Sequence, residues 1–164
     1  MISRYERTNG IKISFHSVSK ETNGLNIALW GIDDSTSNGL TLAFGAGATK
    51  FNGIGIAALG ISGSHLNGVF ISIIGTSTWS TELVERVNGV SIGVIIGVQT
   101  YELNGLAIGI NNYAEEQNGV MIGIFNASKE LHGIQFGLWN VAENNRIFKR
   151  MPLVNFNFRK KASR

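Results

Sequence analysis

The dipeptide Asn-Gly recurs eight times, at Asn9, Asn23, Asn38, Asn52, Asn67, Asn88, Asn104 and Asn118, and His132-Gly133 takes a ninth place. Successive steps are 14, 15, 14, 15, 21, 16, 14 and 14 residues. A unit this short cannot bury a core alone, so the chain must stack its units on one another. Asn and Gly both tolerate positive φ, and the pair reads as the tight turn of each unit.

The residues after each glycine repeat as well. The first, third and fifth are apolar in all nine units, as in Ile11, Ile13 and Phe15, in Val69, Ile71 and Ile73, and in Ile134, Phe136 and Leu138. Apolar side chains at every second position, mostly β-branched, predict a strand with that face buried. The fourth position is always small, from Ser14 and Ala28 to Gly123 and Gly137. It is expected on the opposite face, as a groove or a place of close approach. The residue before the Asn is often apolar (Phe51, Leu66, Val87, Leu103, Leu131) and is expected to return to the core.

The pattern predicts an all-β fold, a β-solenoid of about nine coils of 14–16 residues. Like residues would then stack at a spacing of about 4.8 Å, with the Asn side chains forming a ladder of amide hydrogen bonds. The alternative is an antiparallel meander β-barrel. Membrane strands alternate over about 9–11 residues, whereas alternation here is clean for about six. The turns are also all alike, which favours the solenoid.

Two divisions follow. Residues 1–143 form the repeat array. Residues 144–164 contain the only proline, Pro152, and an alternating segment through Leu153, Asn155, Phe156 and Phe158, read as a capping strand with a basic tail. The tail holds seven basic residues and no acidic one, which leaves the array with seven basic against eleven acidic. A basic tail can meet nucleic acid or anionic lipid; it is read here as a solvated terminus, with no nucleic-acid partner expected. The opening MISRYERTNG has no apolar core of the signal-peptide type. No cysteine is present, so there is no disulfide framework.

If the first, third and fifth positions face inward, the second and sixth face outward. They include Trp30, Leu59, Phe70, Ile74, Ile95, Met121, Phe125 and Trp139, a stripe expected to contact a partner. The long step of the fifth unit, from Gly75 to Val87, adds Trp79 on an expected loop. The expected partner is a protein or a second copy of the chain, with membrane contact as a further option. No catalytic residue, metal site or cofactor is expected. His16, His65 and His132 lack metal-type spacing, Gly45 to Lys50 lacks the spacing of a phosphate loop, and Asp33, Asp34, Glu115 and Glu116 read as turn residues.

The run NGVMIGIFNASKELHGIQFGLWNVAENN, closing with PLVNFNF, resembles bacterial outer-surface repeat proteins of spirochaetes and Bacteroidetes, with tandem units of the type NGLQIGLFN. The resemblance covers nearly the whole chain and is best over residues 104–158. In the first five units Ser17, Gly31, Ala46, Gly60 and Gly75 stand where Asn112, Asn126 and Asn140 do later. It implies a location at the cell surface or outer membrane and no catalytic activity. The function expected is a non-enzymatic surface or interaction module that binds through an apolar outer face. A small outer-membrane barrel and a carbohydrate-binding solenoid are the alternatives.

Overall fold

The computed structural model describes residues 2–77 and 83–159, with side chains from Arg7 onward. The described residues contain strands and no helix, in the order β1 (Ile2–Ala57), β2 (Gly60–Ser62), β3 (His65–Ser72), β4 (Gly75–Thr76), β5 (Val84–Gly93), β6 (Gly97–Gly109), β7 (Asn111–Ile122), β8 (Phe125–Ala142) and β9 (Arg150–Asn157). The architecture is a β-solenoid. Successive Asn-Gly pairs lie on one edge and in register: Asn52 pairs with Asn67, Asn67 with Asn88, Asn88 with Asn104, and Asn104 with Asn118, all parallel. His132 continues the column opposite Asn118. A meander barrel would alternate these turns between two ends and is excluded.

The ladder is complete. Each Asn Nδ2 donates to Oδ1 of the Asn one coil earlier, from Asn23 to Asn9 at 2.9 Å through Asn118 to Asn104 at 3.0 Å. β1 therefore winds through the first four rungs without a break. The 21-residue step leaves the ladder intact, since Asn88 Nδ2 still reaches Asn67 Oδ1 at 2.7 Å. Aligned amides polarise one another, so a continuous ladder stabilises more than its separate bonds suggest. Only the glycine of each pair takes positive φ; none of the ladder Asn residues does, contrary to the turn expected of the pair.

The strand phase is also the reverse of the expected one. The first, third and fifth positions face out, and the second and fourth face in. In β3 Leu66, Phe70 and Ser72 are buried, whereas Val69 and Ile71 are exposed. The core is a narrow column through the middle coils: Phe51, Ile61, Leu66, Phe70, Val84, Val87, Val98, Leu103 and Met121. The residues before the Asn thus do return to the core. Sterics explain the reversal. A coil of about fourteen residues encloses a thin interior, which close packing fills with about two large side chains and a small one, as Ile61 and Leu66 beside Ala57. Three large aliphatics from every coil would overfill it. The small fourth position is therefore interior, as Ala28, Ala57 and Ser72 show.

β9 closes the far end. It runs antiparallel to β8, with Phe156 opposite Ile134 and Val154 opposite Phe136.

The glycine column permits little else. A Cβ on Gly68, at φ 134°, would stand 1.9 Å from the Gly53 carbonyl oxygen, whereas one on Gly10, at φ 101° on the first rung, would meet nothing within 4 Å. Gly68→Ala is expected to abolish cooperative unfolding, and Gly10→Ala to cost only the strain of its backbone, about 1–3 kcal/mol. Asn67→Ala removes one rung and is expected to cost about 1–3 kcal/mol. Urea titrations followed by circular dichroism rank the three; equal losses from Gly10→Ala and Gly68→Ala would contradict the stacked geometry.

Candidate interaction face

The reversed phase creates one continuous surface. Nine units each place three residues on it, and all twenty-seven are apolar, with Ala58 the smallest. Exposure is high at the start of the rod, where Ile11 is 71%, Ile13 73% and Leu29 72% accessible, and stays near 40% at Ile56, Ile110 and Ile122 where neighbours crowd. β9 lengthens the surface, since Phe156 and Val154 stand beside Ile134 and Phe136 and are exposed. From strand spacing and rise, the face spans about 40 Å by 17 Å, roughly 700 Å² in projection. Exposed apolar patches on monomeric proteins are usually smaller, about 300–600 Å² at most.

One rim of the face is the Asn ladder. The amides on it are further engaged by carboxylates on the same strands: Asn23 donates to Glu21 Oε1 at 3.1 Å and Asn104 to Glu102 Oε1 at 2.9 Å. The opposite rim is the sixth position, with His16, Trp30, Leu59, Ile74, Ile95, Phe125 and Trp139. Trp30 stacks on Phe44 of the next unit at 5.4 Å and 20°, beside a groove of about 460 Å³ lined also by His16, Gly31, Asp33 and Leu59.

Charges gather elsewhere on the coil. Arg86 Nη2 lies 2.6 Å from Glu102 Oε2, and Lys129 pairs with Glu115, a hydrogen bond that raises the lysine above its ordinary value. Such exposed pairs are screened by water and contribute little to stability. Their importance is that one side of the rod is charged while the other carries no charge.

The residues expected to contact a partner divide accordingly. Trp30, Ile95, Phe125 and Trp139 are exposed along the sixth-position rim, and Leu59 and Ile74 are half-buried there. Phe70 and Met121 are wholly buried and cannot line an outer surface; they are second-position residues and point into the core. Trp79 lies outside the described residues. The broad aliphatic face was expected inside. The signal that could have placed it outside is the residue before the Asn: Leu66, Phe70 and Ser72 are separated by even numbers, so a core Leu66 puts Ile71 outside.

The interior is polar at both ends, and most of its polar groups bond one another, although Asn26 Oδ1, Ser72 Oγ and Gln135 Oε1 are buried without a partner among the described residues. Asp34 accepts from Ser17 Oγ at 3.2 Å, Thr22 Oγ1 at 2.8 Å and Asn26 Nδ2 at 3.1 Å. Buried Lys12 donates to Ser19. In the last units Asn112, Asn126 and Asn140 form a second, buried ladder at 2.9 and 2.8 Å. The glycines at the fourth position of those units are required first by backbone and then by that ladder, because a Cβ on Gly123 would stand 2.3 Å from the Gly109 carbonyl oxygen, 2.7 Å from Asn112 Nδ2 and 2.9 Å from Asn126 Oδ1. Among the described residues no three His, Asp or Glu side chains converge as a metal site. No helix among them is long and apolar enough to cross a membrane.

No protein-family model, curated protein or solved structure matches the chain.

Adjacent residues test the phase. Phe70→Ala is expected to cost about 3–5 kcal/mol, the loss for a buried aromatic ring. Ile71→Thr, next to it on the open face, keeps β-branching and is expected to cost less than about 1 kcal/mol. Denaturant unfolding of the two variants decides; the opposite ranking would return the aliphatic lane to the core.

Proposed function

We propose that this chain is a non-enzymatic interaction module that docks an apolar partner surface on the face formed by its first, third and fifth positions. The observation that supports this is a lane of twenty-seven apolar positions in register, sixteen of them exposed and the rest half-buried, on a face that carries no charge. Keeping such a surface in water is unfavourable by about 25 cal/mol per Å², so covering it supplies the driving force for association. Most polar groups of the interior act on one another, as the three donors around Asp34 do, and serve the fold. The resemblance to outer-surface repeat proteins implies that the module works at the bacterial cell surface.

The face is interrupted without touching the core by replacing Ile56, Ile71 and Ile92 together with Thr. The wild-type chain is expected either to sediment as more than a monomer or to bind nonionic micelles and neutral lipid vesicles. The triple variant is expected to do neither, while its circular dichroism is unchanged. A wild-type monomer indifferent to micelles and vesicles would defeat the proposal.

A further inference from the structure

We infer that the occupant of this face is a second copy of the chain, packed face to face in a two-fold dimer. The inference rests on the docking role proposed above and identifies the partner. Three observations carry it.

The first is area. A face of roughly 700 Å² in projection approaches the ~800 Å² that each partner contributes to a standard stable interface. The exposed side chains corrugate it, so the surface they bury exceeds the projection.

The second is shape. The side chains stand on a regular lattice, repeating about every 4.8 Å along the rod and about 6.6 Å across it. A second copy presents the same lattice, and its ridges seat in the grooves between columns, as identical sheets do when they interdigitate in a dry interface. A surface without this periodicity cannot fill every groove.

The third is charge. The face carries none, so two copies meet without like-charge repulsion. The rim beside the last units carries Glu102, Glu116 and Glu130, and residues 1–143 hold eleven acidic against seven basic residues. The seven basic residues that make the chain's net charge +3 lie in residues 144–164, so the face is not flanked along its length by the Lys and Arg that lipid-surface binders carry.

Symmetry supplies the test. Ile71 is the third-position residue of the fifth of nine units, at the centre of the face. In a two-fold face-to-face pair the centre opposes itself whether the rods run parallel or antiparallel. The chain has no cysteine, so single cysteines report contacts directly. Ile71→Cys is expected to cross-link into a covalent dimer with a short bismaleimide, and Ser35→Cys, exposed on the charged side, is not. Sedimentation is expected to give a dimer, and Ile71→Asp to weaken it about thirtyfold or more, the effect of removing a central hot spot. Circular dichroism confirms that each variant is folded; should Ile71→Cys not fold, Ile92→Cys in the next unit replaces it. A dimer linked through Ser35→Cys but not through Ile71→Cys overturns the inference. A monomer that binds neutral vesicles or micelles through the same face also overturns it, while leaving the docking role standing. A monomer that binds neither overturns both.

Discussion

The stacking of glycine on glycine is the constraint from which the rest follows. Each Asn-Gly glycine from the second onward lies so close to the carbonyl of the one before that no side chain fits, with Cβ-to-oxygen separations of 1.9–2.3 Å along the column. That contact holds successive coils in one register, and register in turn aligns the Asn amides so that each donates to the last. A chain that slipped by one residue would lose the glycine contact, the amide ladder and the in–out alternation together. One glycine and one asparagine per unit thereby set the phase of every other side chain.

The phase yields a protein with a partly polar inside and an apolar outside on one face. A thin coil cannot hold many aliphatics, and its ends close around serines, threonines, amides, a lysine and an aspartate. Buried polar groups are tolerable when hydrogen-bonded, and the Asp34 carboxylate, with three donors, and the Gln135 amide nitrogen, which donates to Gln117 and Ser128 at 3.0 Å each, meet that condition, whereas Asn26 Oδ1 and Gln135 Oε1 are left without a partner among the described residues. Apolar packing is concentrated in the middle coils, around Phe51 and Phe70, whose rings meet edge-on at 5.5 Å. Stability thus comes from a short apolar column flanked by hydrogen-bonded segments, and the aliphatic lane contributes mainly strand propensity and lateral contact between coils.

Much of this was legible in the residues. The Asn-Gly spacing alone led to the solenoid and to the ladder, because period and turn chemistry are local properties. The inward position of Phe51 and Leu66 was legible too. The orientation of the lane was not, because hydrophobicity normally marks the buried side and here the bulkier residues are outside. Volume was the better guide: a uniformly small fourth position marks the place where two backbones approach, and that place is interior. Met121 and Phe70 were misplaced for this reason. Asn112, Asn126 and Asn140 stood out as a pattern of the later units. Gly109, Gly123 and Gly137 beside them leave no room for a Cβ, which would meet the carbonyl oxygen of the fourth-position glycine one coil earlier at 2.3–2.4 Å and the corner amides beyond it, a crowding that spacing alone does not reveal.

The end of the rod bears on how such a molecule can associate. A parallel stack exposes an edge that matches another copy of itself, and an unprotected edge propagates into a fibre. β9 breaks that match by running antiparallel, with a register shift between Gly137 and Asn140 and with Asn155 and Asn157 turned inward opposite Gln135 and Gly133. Its outer edge carries no Asn-Gly pair, so a further coil has no column to join. The same strand leaves Phe156 and Val154 on the open face and extends it. Edge growth is thereby suppressed at this end while face contact is promoted. Association across a face by a two-fold axis uses the same surface on both copies and is complete when two have met. An apolar face that would be an aggregation hazard on an open-ended sheet can therefore serve, on a capped rod, as a surface of limited and defined stoichiometry.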